Sequence, residues 1–349
     1  MTVRIGVIGT GGIAVEHLTN LLRLPDTEVV ALCDLTTAQI DLARAAVARK
    51  LTADTASGAA HPLEATTYTD YQAMLRDERL DGVYLCIPPF AHGEPEAAVI
   101  AAGVPLLVEK PVGLDLHTAT QTLARIRERD LLTAVGYQLR YTPAADRARA
   151  LLANTTIGMA LVLRFGRTPN LPWYHRQNRS GGQLTEMATH QIDLLRYFVG
   201  EVRTVTAAAT TRINNRQRPD YDIFDANAMT LTFDNGVIGS FANNFLAWPG
   251  AVPQLSGLHL FCDGLILSLG NDHLRAVTPD GTEELTVEGD AMAVLDATFV
   301  RAIAEGRPEL IRADYADAVR TLAVTLAADR AARTGQPVEI AQLLADAGR

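Results

Sequence analysis

Val3-Arg4-Ile5-Gly6-Val7-Ile8-Gly9-Thr10-Gly11-Gly12-Ile13-Ala14 decides the fold of this chain. A β-branched run leads into Gly9-x-Gly11-x-x-Ala14, and an amphipathic stretch follows. That order of strand, glycine turn and helix is the context a dinucleotide-binding βαβ unit requires. Gly9 permits the tight turn. Gly11, with Gly12 and Ile13 beside it, lets backbone N–H groups approach a pyrophosphate, and Ala14 lets helix and strand pack closely. Asp34 ends the next apolar run, about twenty residues on, where a carboxylate can accept hydrogen bonds from the adenine ribose hydroxyls. Leu35, Thr36 and Thr37 follow it, with no Arg or Lys to neutralise a 2′-phosphate, so NAD is favoured over NADP. The competing reading is a glycine turn in a non-nucleotide α/β domain with Asp34 capping the second helix. Strand, glycines, helix and distal acid together argue against it.

Outward from the turn, short apolar runs alternate with helical patterns, the signature of a parallel sheet. Strands are predicted at residues 4–8, 29–34, 82–87, 105–109 and 132–137, and helices at 14–24, 37–50, 71–76, 94–102 and 117–128. Residues 51–67 extend the second helix or loop back. From about residue 160 the pattern changes to extended runs joined by Asp234-Asn235-Gly236, Asp263-Gly264 and Asp280-Gly281, which are hairpin signals. One helix is predicted over 185–198 with Gly200 as its stop, and two close the chain at 291–305 and 315–334 before Gly335. The expected fold is α/β plus α+β. A Rossmann domain over residues 1–136 precedes an open-faced, mainly antiparallel sheet domain over 137–349, whose last helices pack back towards the first.

The 349 residues carry a net charge of −9 and no basic stripe, so nucleic acid is not an expected partner. Met1-Thr2 runs straight into a β-branched segment with neither a basic n-region nor a long apolar run. Neither secretion nor membrane insertion is indicated, and the expected compartment is the cytoplasm. Cys33, Cys86 and Cys262 lie in apolar runs without metal-ligand spacing, and read as buried free thiols. No metal is expected.

Four further motifs carry a family resemblance: Cys86-Ile87-Pro88-Pro89-Phe90-Ala91-His92; Glu109-Lys110-Pro111; Gly136-Tyr137-Gln138-Leu139-Arg140-Tyr141-x-Pro143; and Gly181-Gly182-x-Leu184-x-Glu186-x-x-x-His190-x-x-Asp193. In this order the chain resembles the glucose-fructose oxidoreductase, inositol dehydrogenase and rhizopine catabolism (Gfo/Idh/MocA) family along nearly its whole length. The resemblance implies an active site in a cleft between the two domains. It also implies a homodimer or homotetramer assembled through the sheet of the second domain, and a cofactor site to which Pro88, His92, Glu109, Lys110 and Gln138 contribute.

Hydride removal from a carbinol needs a base for the hydroxyl proton and a positive charge near the developing oxyanion. His190 and Lys110 fit those roles in an NAD-dependent dehydrogenase of a sugar, cyclitol or sugar acid. Glu186, four residues before His190, is expected on the same helical face, either orienting the imidazole or binding substrate; many relatives place Asp there. Asp193 reads as a packing group. His92 caps a helix or lies near the nicotinamide. Trp173, Tyr174 and Arg176, with Arg140 and Tyr141, are candidates for the wall that binds a small polyhydroxylated substrate. Two rival functions use the same parts: a glycosidase or lyase that retains NAD and oxidises its substrate transiently, and a non-catalytic sugar or dinucleotide sensor.

Overall fold

The computed structural model describes residues 2–53, 60–218, 220–247, 256–270, 273–286 and 288–349. It divides into two compact units, the first made of Met1–Gly113, Thr118–Tyr141 and Asp290–Ala318, the second of Leu114–His117, Thr142–Gly289 and Val319–Arg349.

The first unit holds β1 (Val3–Ile8), α1 (Gly12–Leu21), β2 (Thr27–Cys33), α2 (Thr37–Ala53), β3 (Thr66–Tyr68), α3 (Tyr71–Asp77), β4 (Gly82–Leu85), α4 (Glu94–Ala102), β5 (Leu106–Val108), α5 (Leu116–Glu128, whose first residues fall in the second unit) and β6 (Thr133–Val135). Its six strands are parallel in the order β3-β2-β1-β4-β5-β6. They are apolar nearly throughout because helices cover both faces of such a sheet. The order reverses between β1 and β4, the switch point at which open α/β sheets place their ligands. β3 falls within the stretch expected to be helix or loop, and residues 54–59 of that stretch lie outside the described residues. It is a three-residue edge strand, too short to show a period.

The first unit is not one stretch of sequence. A cut after residue 136 leaves out the helix Ala291–Glu305 (α11 below), whose Leu295, Phe299 and Val300 share a core with Val3, Ile5, Ala14, Leu18 and Tyr84. Burying each such large side chain contributes about 1.5–3 kcal/mol, so this helix completes the core of the unit.

The second unit begins with α6 (Pro143–Leu152), β7 (Ile157–Phe165), α7 (Gln177–Ser180), α8 (Gly182–Glu186) and α9 (Thr189–Val199). There follow β8 (Val202–Thr210), α10 (Asn214–Gln217), β9 (Ala226–Phe233), β10 (Ile238–Asn244), β11 (Gly257–Cys262), β12 (Leu265–Leu269), β13 (His273–Thr278) and β14 (Gly281–Thr286). After α11, the chain ends with α12 (Tyr315–Thr334), β15 (Val338–Glu339) and α13 (Ile340–Ala347). The nine strands form one sheet in the order β14-β13-β12-β11-β7-β10-β9-β8-β15. All its pairs are antiparallel except β7 with β10. Each of the three Gly-containing turns joins two paired strands, as the hairpin signals required.

The central strands of this sheet alternate in burial. Val162, Phe241, Met229, Leu258 and Leu267 are buried on one face, against which α9 and α6 lie. On the other, Ile238, Met159, Phe261 and Ile266 are each 40–50% exposed. The single helix expected over 185–198 is two helices, broken at Met187 and Ala188, where both backbone N–H groups fall back on the carbonyl of Gln183. α13, which the sequence reading stopped short of, follows Gly335. No described helix is long and apolar enough to cross a membrane.

Candidate active site

At the carboxyl end of β1, Gly9 has φ +84°, and a Cβ there would stand 2.3 Å from the carbonyl oxygen of Cys86. The residue must be glycine for both reasons. Gly11 is the N-cap of α1, and neither at Gly11 nor at Gly12 would a Cβ meet any atom within 4 Å. The start of α1 is thus an open cradle of backbone N–H groups, which fits a pyrophosphate. Ile13 is half-buried beside it and Ala14 fully buried against the core. Asp34 accepts hydrogen bonds from the backbone N–H (2.7 Å) and hydroxyl (2.8 Å) of Thr10 on Oδ2, and from Leu35 N–H (2.7 Å) on Oδ1. The carboxylate therefore braces the glycine turn, and its remaining lone pair, on Oδ1, is available to a ribose hydroxyl. Thr10, which the sequence reading passed over, supplies that brace.

Glu109 and Lys110 follow β5 at the same edge of the sheet. The Glu109 side chain is buried, and Gly136 leaves room for it, since a Cβ there would fall 2.2 Å from Glu109 Oε1. Glu109 Oε2 accepts from the Lys110 N–H at 3.2 Å, and the Lys110–Pro111 peptide is cis. Behind it lies a buried cluster for which the sequence carried no signal. His17 on α1 contacts Glu109 Oε1 through Nε2 (3.0 Å) and Asp296 Oδ1 through Nδ1 (2.7 Å), and Asn20 donates to Asp296 Oδ2 (2.9 Å). An imidazole can donate from both nitrogens only when protonated, so His17 is an imidazolium between two carboxylates. Burial opposes that charge, but Asp296 and Glu109 outweigh it and push the His17 pKa up to about 10. Glu109, through His17, links the Lys110 backbone to α1 and α11.

After β4, Pro88 opens a 3₁₀ turn and His92 closes it. His92 Nδ1 bonds the buried carboxylate of Glu96, which also accepts from Gly93 N–H and caps α4. Burial opposes ionisation of Glu96, yet His92 and the Gly93 N–H hold its carboxyl below the usual range. His92 Nε2 is buried with no partner among the described residues. Gln138 starts the 3₁₀ turn that contains Arg140 and Tyr141. Arg140 is buried, donates to Arg312 O (2.6 Å) and pairs with Asp317 (2.5 Å), while Tyr141 Oη accepts from Arg312 N–H (2.9 Å). Both tie the segment after α11 to the first unit, because partners distant in sequence satisfy them.

In the second unit, Glu186 ends α8, buried, and His190 stands half-buried in the first turn of α9. The helix break at Met187 and Ala188 falls between them. Asp193 is buried and accepts from the Thr321 hydroxyl (3.3 Å). Trp173 and Tyr174 form a short turn over a cluster with Tyr221, Ile223, Phe245 and Met187. Burial and the nearby Glu186 carboxylate push the Tyr174 phenol well up. Arg176 points outward, paired with Asp222 (3.3 Å). The sheet register places Arg164, Asn243 and Asn227, for which the sequence carried no signal, side by side on the covered face.

Comparison with known proteins follows the same division. Residues 3–137 match the family model of the Gfo/Idh/MocA oxidoreductase family, NAD-binding Rossmann fold, and residues 146–262 match the model of the Gfo/Idh/MocA C-terminal domain. A myo-inositol 2-dehydrogenase from Thermotoga maritima is 27% identical over 243 residues, 69% of this chain and 68% of that one. The scyllo-inositol 2-dehydrogenase (NAD(+)) of Bacillus subtilis is 23% identical over 346 residues, covering 97% of this chain and 96% of its own. The crystal structure of a putative myo-inositol dehydrogenase from Sinorhizobium meliloti 1021 superposes with a TM-score of 0.78 at 21% identity, over 97% of this chain and 100% of that one. With the glycine turn, the switch-point sheet and both family models in agreement, this chain belongs to the Gfo/Idh/MocA family of NAD-binding oxidoreductases.

Proposed function

We propose that the protein is an NAD-dependent dehydrogenase that oxidises a carbinol of a small polyhydroxylated substrate, a sugar, cyclitol or sugar acid, or runs the reverse reduction, in the cytoplasm. The observation that carries this reading is the placement of Lys110 at the carboxyl edge of the same parallel sheet whose switch point holds the Gly9–Gly11 turn and Asp34. Bound NAD supplies the hydride acceptor. His190 takes the proton of the carbinol hydroxyl, and the Lys110 ammonium faces the oxygen as its negative charge grows. Glu186, whose charge Tyr174 feels, holds a substrate hydroxyl or orients His190. Gly9, Gly11, Gly12, Ile13 and Ala14 hold the pyrophosphate, Asp34 the adenosine ribose, and Pro88, His92 and Gln138 line the nicotinamide side. The test is NADH formation, followed by absorbance, over a panel of pyranoses, inositols and sugar acids with NAD and NADP in parallel. Turnover with NAD and little with NADP is expected. Hydrolysis without NADH release, or a preference for NADP, overturns the reading.

We also propose that two copies pair through the open face of the nine-stranded sheet. Ile238 lies opposite Met159, Met159 opposite Phe261, and Phe261 opposite Ile266, so four exposed apolar side chains run as one row across β10, β7, β11 and β12. A second copy related by a two-fold axis covers such a self-complementary row. Met159→Asp with Phe261→Asp is expected to convert a dimer or tetramer to a smaller species in sedimentation velocity. An unchanged sedimentation coefficient sinks the idea.

A further inference from the structure

On β7, β10 and β9 the covered face of the second unit's sheet is apolar until its last row. Val162, Phe241 and Met229 lie opposite one another and are buried. Two residues further along each strand, one full pleat, the same row reads Arg164, Asn243 and Asn227. Nothing in the packing of a sheet asks for a guanidinium and two amides there, and burying them costs stability unless they are matched.

They are only partly matched. Arg164 donates to Asn243 Oδ1 (3.0 Å), and its guanidinium lies 5.6 Å from the centre of the Phe245 ring. No carboxylate pairs with it among the described residues, and residues 248–255, which follow β10, contain no Asp or Glu. Burial pulls its pKa down, with Tyr174 opposing, as expected of a cation short of counter-charge. Around it, both amide atoms of Asn227, Nδ2 of Asn243 and Oη of Tyr174 are buried without a partner. Tyr174 packs on Phe245 at 6.0 Å and feels the charge of Glu186, so it relates the row to one of the proposed active-site acids.

We propose that Arg164 is an anion-binding residue of the substrate site, so that the substrate is a polyol carrying a carboxylate or a phosphate. This rests on the dehydrogenase reading above and narrows it. The planar guanidinium presents a fork of donors matched to the paired oxygens of either group, and a partly desolvated cation binds such an anion more strongly than one in water. Asn227, Asn243 and Tyr174 offer the mixed donors and acceptors that neighbouring hydroxyls require. A neutral polyol would leave the guanidinium unmatched.

Calorimetry on the NAD-saturated protein with aldonic and uronic acids such as D-gluconate, with D-glucose 6-phosphate, and with neutral D-glucitol and myo-inositol tests this. At least one anionic polyol is expected to bind roughly 10- to 100-fold more tightly than its neutral counterpart. That preference is expected to vanish in Arg164→Met and to survive in part in Arg164→Lys, with NAD affinity and melting temperature reporting that each variant is folded. The carboxylate and phosphate arms show which anion is preferred. Equal affinity for neutral and anionic polyols, undiminished anion binding by folded Arg164→Met, or binding of no anionic polyol in the panel overturns the proposal. Selective anion binding without NADH formation on any polyol leaves the Arg164 site standing and removes the dehydrogenase reading instead.

Discussion

Lys110→Met is expected to lower kcat by about 10²–10⁴-fold on an identified substrate, the range that a positioned proton-transfer or oxyanion-stabilising group supplies. NAD affinity should change little, because the glycine turn and Asp34 are built from β1, α1 and β2 and are braced by Thr10. His190→Ala is expected to produce a loss of the same order and, in addition, to remove the acid limb from the pH–rate profile, since the group that must be deprotonated is gone. The double variant should lose little more than either single one, as residues acting on one transition state are not additive. Stopped-flow measurement of NADH formation separates the chemical step from coenzyme release. Wild-type rates in either single variant would show that the hydroxyl proton and the developing alkoxide are handled by other groups.

His17→Leu is expected to destabilise the first unit by about 3–5 kcal/mol, the range for removing one partner of a buried ion pair, because Glu109 and Asp296 would remain buried without their cation. The same group gives stability a pH dependence with a definite sign. Its folded pKa, about 10, lies above the ordinary value of 6.5. Below pH 6.5 both folded and unfolded chains hold the proton and the contribution is complete. Between pH 6.5 and about 10 only the folded chain holds it, so stability falls with rising pH by up to about 1.4 kcal/mol per unit. Beyond the folded pKa the contribution is gone. Urea midpoints of wild type and His17→Leu from pH 6 to 10 isolate this group, and the gap between the two proteins should close as pH rises. A gap independent of pH would mean that His17 acts by packing on Tyr84, 5.2 Å away, and not by charge.

The parts legible in the sequence are those whose cause is local. The helices at Ala291–Glu305 and Tyr315–Thr334 match the predicted limits because apolar spacing and a terminal glycine lie within each segment. The three hairpins were visible because their turn residues are adjacent in the chain. The break at Met187–Ala188 was not, since its cause is a pair of backbone bonds to Gln183 and no Gly or Pro marks it. The chemistry of Arg140 and Tyr141 was legible, and the contacts that hold them were not. Their partners, Arg312 and Asp317, stand more than 170 residues away, and only folding brings them together.

By itself, then, the sequence determined the coenzyme-binding turn, the parallel sheet that follows it, the hairpins of the second unit and the family, all of which rest on short-range pattern. Tertiary structure alone decided which side chains of α11 enter the core of the first unit, that His17 is a cation held between Glu109 and Asp296, and that Arg164, Asn243 and Asn227 share one row. A buried charge is defined by what surrounds it. Those neighbours come from strands and helices that no local period relates, and the residues concerned read as ordinary polar positions until the chain is folded.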